Sequence, residues 1–498
     1  MRRRAVGGRA AVNDKMLDWL AHRANVMPAT VALVDDQGEH TYAELNRRVD
    51  RVAGALWSVG VKPGDRVAML AWNAPEVVEL VHAVSRLGAI LVPLNARLRV
   101  DELAFQLRDA EVALLVCDAS LSETAAAAAR EAGIASPRVF PLATTTGGVF
   151  PRVEVHDGDD PLCIMYTSGT TGLPKGVVLT YGNIFASAAG SVFNLGVLAG
   201  DRWLAVLPLF HVGGLSIVIR SVLYGTAMVL HRQFDERALS ASLRRNAVTH
   251  VSVVSTMLQR LLDVDAEPCA PQVRVVLVGG GPVPEALLER AAALGYPVVQ
   301  TYGLTETASQ VATLAPGDAI ARLGSAGKPL VTTRLRIDAT PGEPGEILVS
   351  GPVVTPGYFR RPEATAAAIL DGWLHTGDIG RLDEDGYLYV LDRRDDLIVS
   401  GGENVYPAEV EALLLQHPAV RAAAVVGLPD PAWGQVVAAA IVAENGVVPE
   451  EIEAWMRERL AGFKVPSRIT RVDALPMTAS GKVQRRIVRE MLAGPPPS

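Results

Sequence analysis

The chain has 498 residues, 49% of them hydrophobic and 20% charged, and a formal net charge of -7. That length exceeds one ordinary core and implies two or more domains, and the negative sign excludes a general attraction to nucleic acid or to an anionic membrane. The three cysteines, Cys117, Cys163 and Cys269, are odd in number and far apart. They make neither a disulfide framework nor a metal motif and suit a reducing cytoplasm.

Residues 1–15 are rich in Arg, Gly and Ala. No apolar core follows the arginines, so they read as a disordered extension rather than a secretory signal. The most apolar stretch, 203–230, is interrupted by Pro208, His211 and Arg220, so no membrane span is expected. A helix is expected over 17–25 and a strand over 32–34. Thr41-Tyr42-Ala43-Glu44 is a capping box opening a helix to about residue 59. Strands over 66–70, 90–94 and 112–117 then alternate with helices ending near 86 and 109. Such alternation gives an α/β fold class, with parallel sheets covered by helices on both faces. Residues 119–160 show no pattern.

The apolar run Leu162-Cys163-Ile164-Met165 leads into Tyr166-Thr167-Ser168-Gly169-Thr170-Thr171-Gly172-Leu173-Pro174-Lys175-Gly176, and Val177-Val178-Leu179 follows. This is strand, tight loop, strand. Glycine permits close backbone approach, and backbone amides, hydroxyls and the Lys175 ammonium together make an anion cradle sized for a polyphosphate. The P-loop spacing does not fit: five residues after Gly169 stands Pro174, and Gly176, not a hydroxyl, follows Lys175.

Downstream, helix 181–193 precedes a strand at 204–207 that delivers Pro208-Leu209-Phe210-His211-Val212-Gly213-Gly214. An apolar helix over 215–224 then carries one charge, Arg220. Three further strand–helix pairs follow. The strand 273–278 opens into Gly279-Gly280-Gly281-Pro282, and a strand at 298–300 leads to Thr301-Tyr302-Gly303-Leu304-Thr305-Glu306-Thr307. Strand ends of this kind hold ligands in open α/β sheets. Tyr302 can stack on a base, Thr305 can donate to a phosphate and Glu306 can hold magnesium. Residues 335–391 read as β-rich, and the Asp378 carboxylate there can accept both ribose hydroxyls. The sheet pattern ends at the charged run 392–396. A small α+β unit follows, with helices at 408–416 and 449–460, strands at 422–426 and 436–442, and a lysine loop at Ser480-Gly481-Lys482 before a last helix.

Taken together, these stretches closely resemble the signatures of the adenylate-forming superfamily of acyl-CoA synthetases, peptide-synthetase adenylation domains and luciferases. The phosphate loop, 302–306, 374–378, 393–396, 400–407 and 480–482 occur in that superfamily's order from about residue 17 to 491. The resemblance implies a large N-terminal region (16–392), a hinge (393–396) turning on Asp395, and a small mobile C-terminal lid (397–498). It implies ATP, Mg2+ and coenzyme A as cofactor and co-substrates. Thr167 to Gly172, Lys175, Gly279 to Pro282, Tyr302, Gly303, Thr305, Asp378 and Arg393 would bind ATP, and Glu306 the metal. Lys482 would bridge the acyl carboxylate and the α-phosphate, with His211 and Thr305 completing the catalytic set. The loop containing Gly401 and Gly402 would line the pantetheine channel. Homodimers are frequent in the superfamily, so self-association is a further expectation.

The acid is expected between His211, the helix carrying Arg220, and the loop carrying Ser309, Gln310 and Thr313. A buried guanidinium needs a partner, either a protein carboxylate or a second carboxylate on the substrate. The runs 207–214, 302–314 and 323–330, with Arg220, resemble members whose acid is an aromatic dicarboxylate. A fatty, malonic or benzoic acid is the alternative within enzymes. An ATPase or a non-catalytic nucleotide-binding module is the alternative of another class.

Overall fold

Capping chemistry starts the first long helix where the sequence places it. Thr41 Oγ1 accepts from the Glu44 amide at 3.3 Å, and the Glu44 carboxylate accepts from the Thr41 amide at 2.7 Å. The pair satisfies donors that a helix start leaves open. Helix Tyr42–Ser58 follows, with Leu45, Val49, Val52 and Leu56 on its buried face. The computed structural model describes residues 15–142, 150–167, 173–281, 283, 285–392, 398–405, 407–443, 448–476, 483 and 485–494.

Among these residues two large sheets carry the N-terminal part. In the nine-stranded sheet, Val298–Tyr302, Val275–Val278, His250–Val253, Arg202–Ala205, Ala227–Leu230 and Val31–Asp35 run parallel in that spatial order, with antiparallel strands at both edges. The seven-stranded sheet centres on Ile90–Pro93, Arg66–Leu70 and Val112–Cys117. On one side it continues through the antiparallel pair Pro161–Thr167 and Lys175–Thr180 to the edge strand Gly357–Tyr358. One apolar core joins them, with Met69, Leu91 and Val116 from one sheet and Ala205, Met228 and Leu277 from the other. Helix Val212–Tyr224 is threaded into that core through Leu215, Val218 and Val222.

A five-stranded sheet built on Gly345–Ser350 and Trp373–Leu382 is the β-rich part. A second five-stranded sheet, within residues 398–471, has its own apolar core around Val410, Val425, Ile441 and Ile452. No described helix is long and apolar enough to cross a membrane.

Several sequence expectations shift. The strand expected at 204–207 is Arg202–Ala205, so Val206 and Leu207 already belong to the turn above the sheet. The short strands expected at 422–426 and 436–442 are a long hairpin, Val420–Asp430 with Gly434–Ala443. Its small residues Ala424, Ala438 and Ala440 let helix Arg485–Ala493 pack closely through Val488 and Leu492. Helix Ser122–Ala132 lies in the stretch read as patternless. Ala125, Ala128 and Ala129 form its buried stripe, a helical spacing hidden by an unbroken run of alanines. The extension expected at 1–15 stops one residue short, because Lys15 opens strand Lys15–Leu17 and pairs with Asp157; its remainder 1–14, the phosphate-loop tip at 168–172, Pro282, Arg393, the expected hinge residue Asp395 and Lys482 lie outside the described residues.

Candidate active site

Parallel strands all point their carboxyl ends the same way, so the loops leaving them gather at one edge. Here that edge is the floor of a cavity of about 880 Å³. Val275–Val278 delivers Gly279 and Gly280, Val298–Tyr302 delivers Gly303 to Glu306, and the turn after Arg202–Ala205 delivers His211. The antiparallel pair of the other sheet contributes Thr167 and Lys175, which are register partners across the phosphate loop.

Backbone fit explains the glycines. A Cβ at Gly303 would lie 1.5 Å from the Ser309 carbonyl oxygen. Only glycine lets the 303–309 turn fold back on itself. That turn carries Ala308 at φ 52° and Ser309 at φ 104°, an uncommon conformation for a residue with a side chain and one that concentrates at functional sites.

Lys175, Glu306 and Asp378, expected to meet the nucleotide and its metal, line one side of the cavity. Tyr358 donates its hydroxyl to Glu306 Oε1 at 3.1 Å, and Lys175 Nζ stands 5.3 Å from the centre of the Tyr358 ring. Burial pushes the Glu306 carboxyl above its usual range, and Asp378 adds to the rise. A cation placed beside Glu306 would relieve that burden. No cluster of three His, Cys, Asp or Glu is found among the described residues. The donor set therefore fits a magnesium ion held chiefly by phosphates and water with one protein carboxylate, not a resident metal cage. Asp378 is 8% exposed, and its Oδ2 accepts from the Tyr302 hydroxyl at 2.7 Å. Tyr302 itself is buried behind the cavity wall among Val311, Ala326 and Ile347 rather than lining it.

Arg220, Ser309 and Gln310, expected to meet the acid, line the cavity as well. Arg220 lines the cavity yet is only 2% exposed, and burial pulls its pKa down. No carboxylate of the described residues pairs with it. Its hydrogen bond goes to Ser187 Oγ at 3.1 Å, and the Ser187 hydroxyl in turn donates to the Ala308 carbonyl at 2.7 Å. The guanidinium is thus tied to the turn that carries Ser309. Gln310 is 2% exposed and lines the same space, and neither atom of its amide finds a partner among the described residues. Thr313, expected to contact substrate, is instead turned to Thr301, its Oγ1 at 2.8 Å. Gly281 also lies off the cavity wall.

Gly401 and Gly402, both at positive φ, reach the cavity from the C-terminal sheet. A Cβ on Gly402 would stand 3.7 Å from Val254. Next to them Glu403 is 3% exposed. Its carboxylate faces His211 Nε2 at 3.0 Å, accepts from Asn95 Nδ2 at 2.8 Å, and pairs with Arg97. Burial opposes ionisation of this carboxyl, but His211, Arg97 and Asn95 outweigh it and hold the pKa at about 2. The partners of Glu403 are about three hundred and two hundred positions upstream. No spacing rule links them, which is why the sequence showed the Gly401–Gly402 loop but not its anchor.

Residues 20–359 match the family of AMP-binding enzymes, and residues 409–482 match the C-terminal domain of AMP-binding enzymes. The chain therefore belongs to the AMP-binding enzymes. It is 48% identical over 485 residues to the 2-succinylbenzoate–CoA ligase of Geobacillus kaustophilus, spanning 96% of this chain and 98% of that one. Two solved structures of o-succinylbenzoate CoA synthetase from Bacillus subtilis are each 41% identical to it. A double mutant bound with its product analogue matches with a TM-score of 0.89, covering 96% of this chain and 99% of that one. The complex with the acyl-adenylate intermediate matches at 0.73, covering 95% and 98%.

Proposed function

We propose that the chain is an ATP-dependent acid–thiol ligase that converts 2-succinylbenzoate to its coenzyme A thioester, the activation that menaquinone synthesis requires. The observation that carries the choice of acid is Arg220, a buried cation lining the cavity without a carboxylate from the described protein. A dicarboxylate supplies the missing partner with one carboxyl while the other reacts. Gln310 and Ser309 stand beside it to take the remaining polar atoms of the substrate.

In the first step the reacting carboxylate attacks the α-phosphorus of ATP. The acyl-oxygen–phosphorus bond forms, the bond to the bridging oxygen breaks, and pyrophosphate leaves. Two anions must approach, so the barrier is largely electrostatic. Lys175 and the 168–172 loop hold the outer phosphates, Thr305 donates to the α-phosphate, and Asp378 and Arg393 hold the ribose. Tyr302 fixes Asp378 by its hydrogen bond. Gly279 and Gly280 border the base. Glu306 would hold magnesium, which would supply charge neutralisation to the phosphates. Lys482 neutralises the carboxylate and α-phosphate as they meet. In the second step the thiol sulfur attacks the acyl carbon and AMP leaves.

The arrangement of the C-terminal part supports placing this structure at the second step. Gly401 and Gly402 already sit in the cavity, and the higher TM-score is to the relative bound with its product analogue. Rotation about Asp395 would exchange that loop for Lys482. A reducing cytoplasm is the compartment in which Cys117, Cys163 and Cys269 would remain thiols.

The test is AMP and pyrophosphate release by the purified chain with ATP, coenzyme A and a panel of acids. Coenzyme-A-dependent AMP release that is greatest with 2-succinylbenzoate is expected. Equal or better turnover of octanoate or benzoate would remove the narrow reading, and ADP release would remove the ligase.

A further inference from the structure

A second set of charges joins the two parts of the chain away from the cavity. Lys464 is only 4% exposed. Its Nζ lies 2.5 Å from Glu102 Oε1 and 2.7 Å from Glu409 Oε1. Glu409 belongs to helix Pro407–Leu414, beside Lys464 in the C-terminal unit, whereas Glu102 belongs to helix Val100–Asp109 of the N-terminal part. Glu102 Oε2 also accepts from the Ala461 amide at 3.2 Å, and Arg99 donates to the Leu460 carbonyl at 3.3 Å and to the Arg457 carbonyl. The stretch 95–102 thus grips the C-terminal unit twice, at Glu403 and at 460–464.

What distinguishes this contact is that each side keeps a partner of its own without the other. Lys464 keeps Glu409 when Glu102 withdraws. Glu102 keeps the Arg99 amide, 3.0 Å from its Oε2, at the start of its own helix. Separation therefore leaves neither a lone buried ammonium nor an open helix start, the two outcomes that would make such a contact costly to break. Arg86 is the contrast. It is fully buried against Asp18, Asp50 and Asn46, all within the N-terminal part, and serves as a permanent fixture.

We propose that Glu102 is a positioning residue for the thiol step: its bond to Lys464 is made in the arrangement seen here and broken when the C-terminal unit rotates, so it sets how often the Gly401–Gly402 loop occupies the cavity. The inference rests on the two-step reading given above.

The experiment uses the full-length protein and Glu102→Gln. The glutamine amide oxygen still accepts from the Arg99 amide, so the helix start is retained while the charge is lost. Pyrophosphate–ATP exchange is expected to stay within about twofold of wild type, and single-turnover transfer from bound adenylate to coenzyme A to slow at least about tenfold, with Glu102→Asp recovering part of the rate. This magnitude corresponds to losing one strong charged contact. In parallel, spin labels on either side of the contact should show the short distance depleted in Glu102→Gln at an unchanged melting temperature. An unchanged thiol step, equal loss in both steps, or an unaltered distance distribution would overturn the assignment. Because the distance measurement needs no substrate, it decides the role of Glu102 even if wild type proves to be no ligase.

Discussion

Replacing Arg220 by methionine separates substrate recognition from folding. The side chain is buried, is paired with no described carboxylate, and lies on a helix packed through the core that joins the two large sheets. Methionine has similar length and no charge. Removing a desolvated cation that lacks a protein counterion should leave stability unchanged or raise it, since such a charge is stabilising only when paired. The Ser187 hydroxyl still donates to the Ala308 carbonyl, so the substrate loop keeps its tether. The bound dicarboxylate, by contrast, would lose its counterion inside a low-dielectric site. Breaking a buried charge pair from one side costs about 3–5 kcal/mol, which is roughly 10²–10⁴ in kcat/KM at about 1.36 kcal/mol per decade. The distal carboxyl does not change during reaction, so the loss should fall mainly on KM. The assay is steady-state AMP release with 2-succinylbenzoate and with octanoate, together with a thermal melt. The expected outcome is a drop of that size for succinylbenzoate, a smaller change or a gain for octanoate, and a melting temperature no lower than wild type. If the ratio between the two acids stays within threefold, or both fall together with the melting temperature, Arg220 is a structural residue with no part in choosing the acid.

Trimming Lys482 to alanine should lower pyrophosphate–ATP exchange by about 10²–10³ while leaving thioester formation from supplied adenylate largely intact. Asp395→Pro should do the reverse, sparing exchange and slowing the thioester step, and parallel losses in either variant would contradict the assigned roles. Gly303→Ala places a Cβ 1.5 Å from the Ser309 carbonyl. Neither backbone can yield without moving the substrate turn, so destabilisation of at least about 3 kcal/mol and loss of exchange are expected, whereas a soluble, fully active variant would show that the turn relaxes. His82 and His250 are buried, burial lowers each pKa to about 4, and neither Nε2 has a described partner. The unfolded chain takes up protons from pH 6.5 downward that the folded rings refuse until about 4. Stability is therefore present above 6.5 and is lost as pH falls through that window, by about 3 kcal/mol per ring at most. Urea unfolding at several pH values checks this, and His82→Leu should flatten the slope by about one proton.

Local chemistry was legible along the chain. The Thr41–Glu44 box, the strand–loop–strand around Lys175 and the glycines after the parallel strands each depend on neighbours within a few residues, and backbone sterics give the same answer in any context. The helix Ser122–Ala132 was the local failure, because the alanine run at 125–129 erases the contrast between faces. Tyr302 shows a different limit: its motif led to the expectation that its ring stacks on the base, but packing puts the ring behind the cavity wall with its hydroxyl on Asp378.

By itself, then, the order of residues determined the paired strands on either side of the glycine- and hydroxyl-rich loop before Lys175, which strands open into glycine, and that one arginine sits on an otherwise apolar helix. Tertiary structure alone decided that this arginine meets no described carboxylate, that Glu403 is anchored by Asn95, Arg97 and His211, and that Glu102 closes on Lys464. The physical reason is that a charge is stabilised by whatever lies within a few ångströms, and those neighbours are hundreds of positions away in the chain.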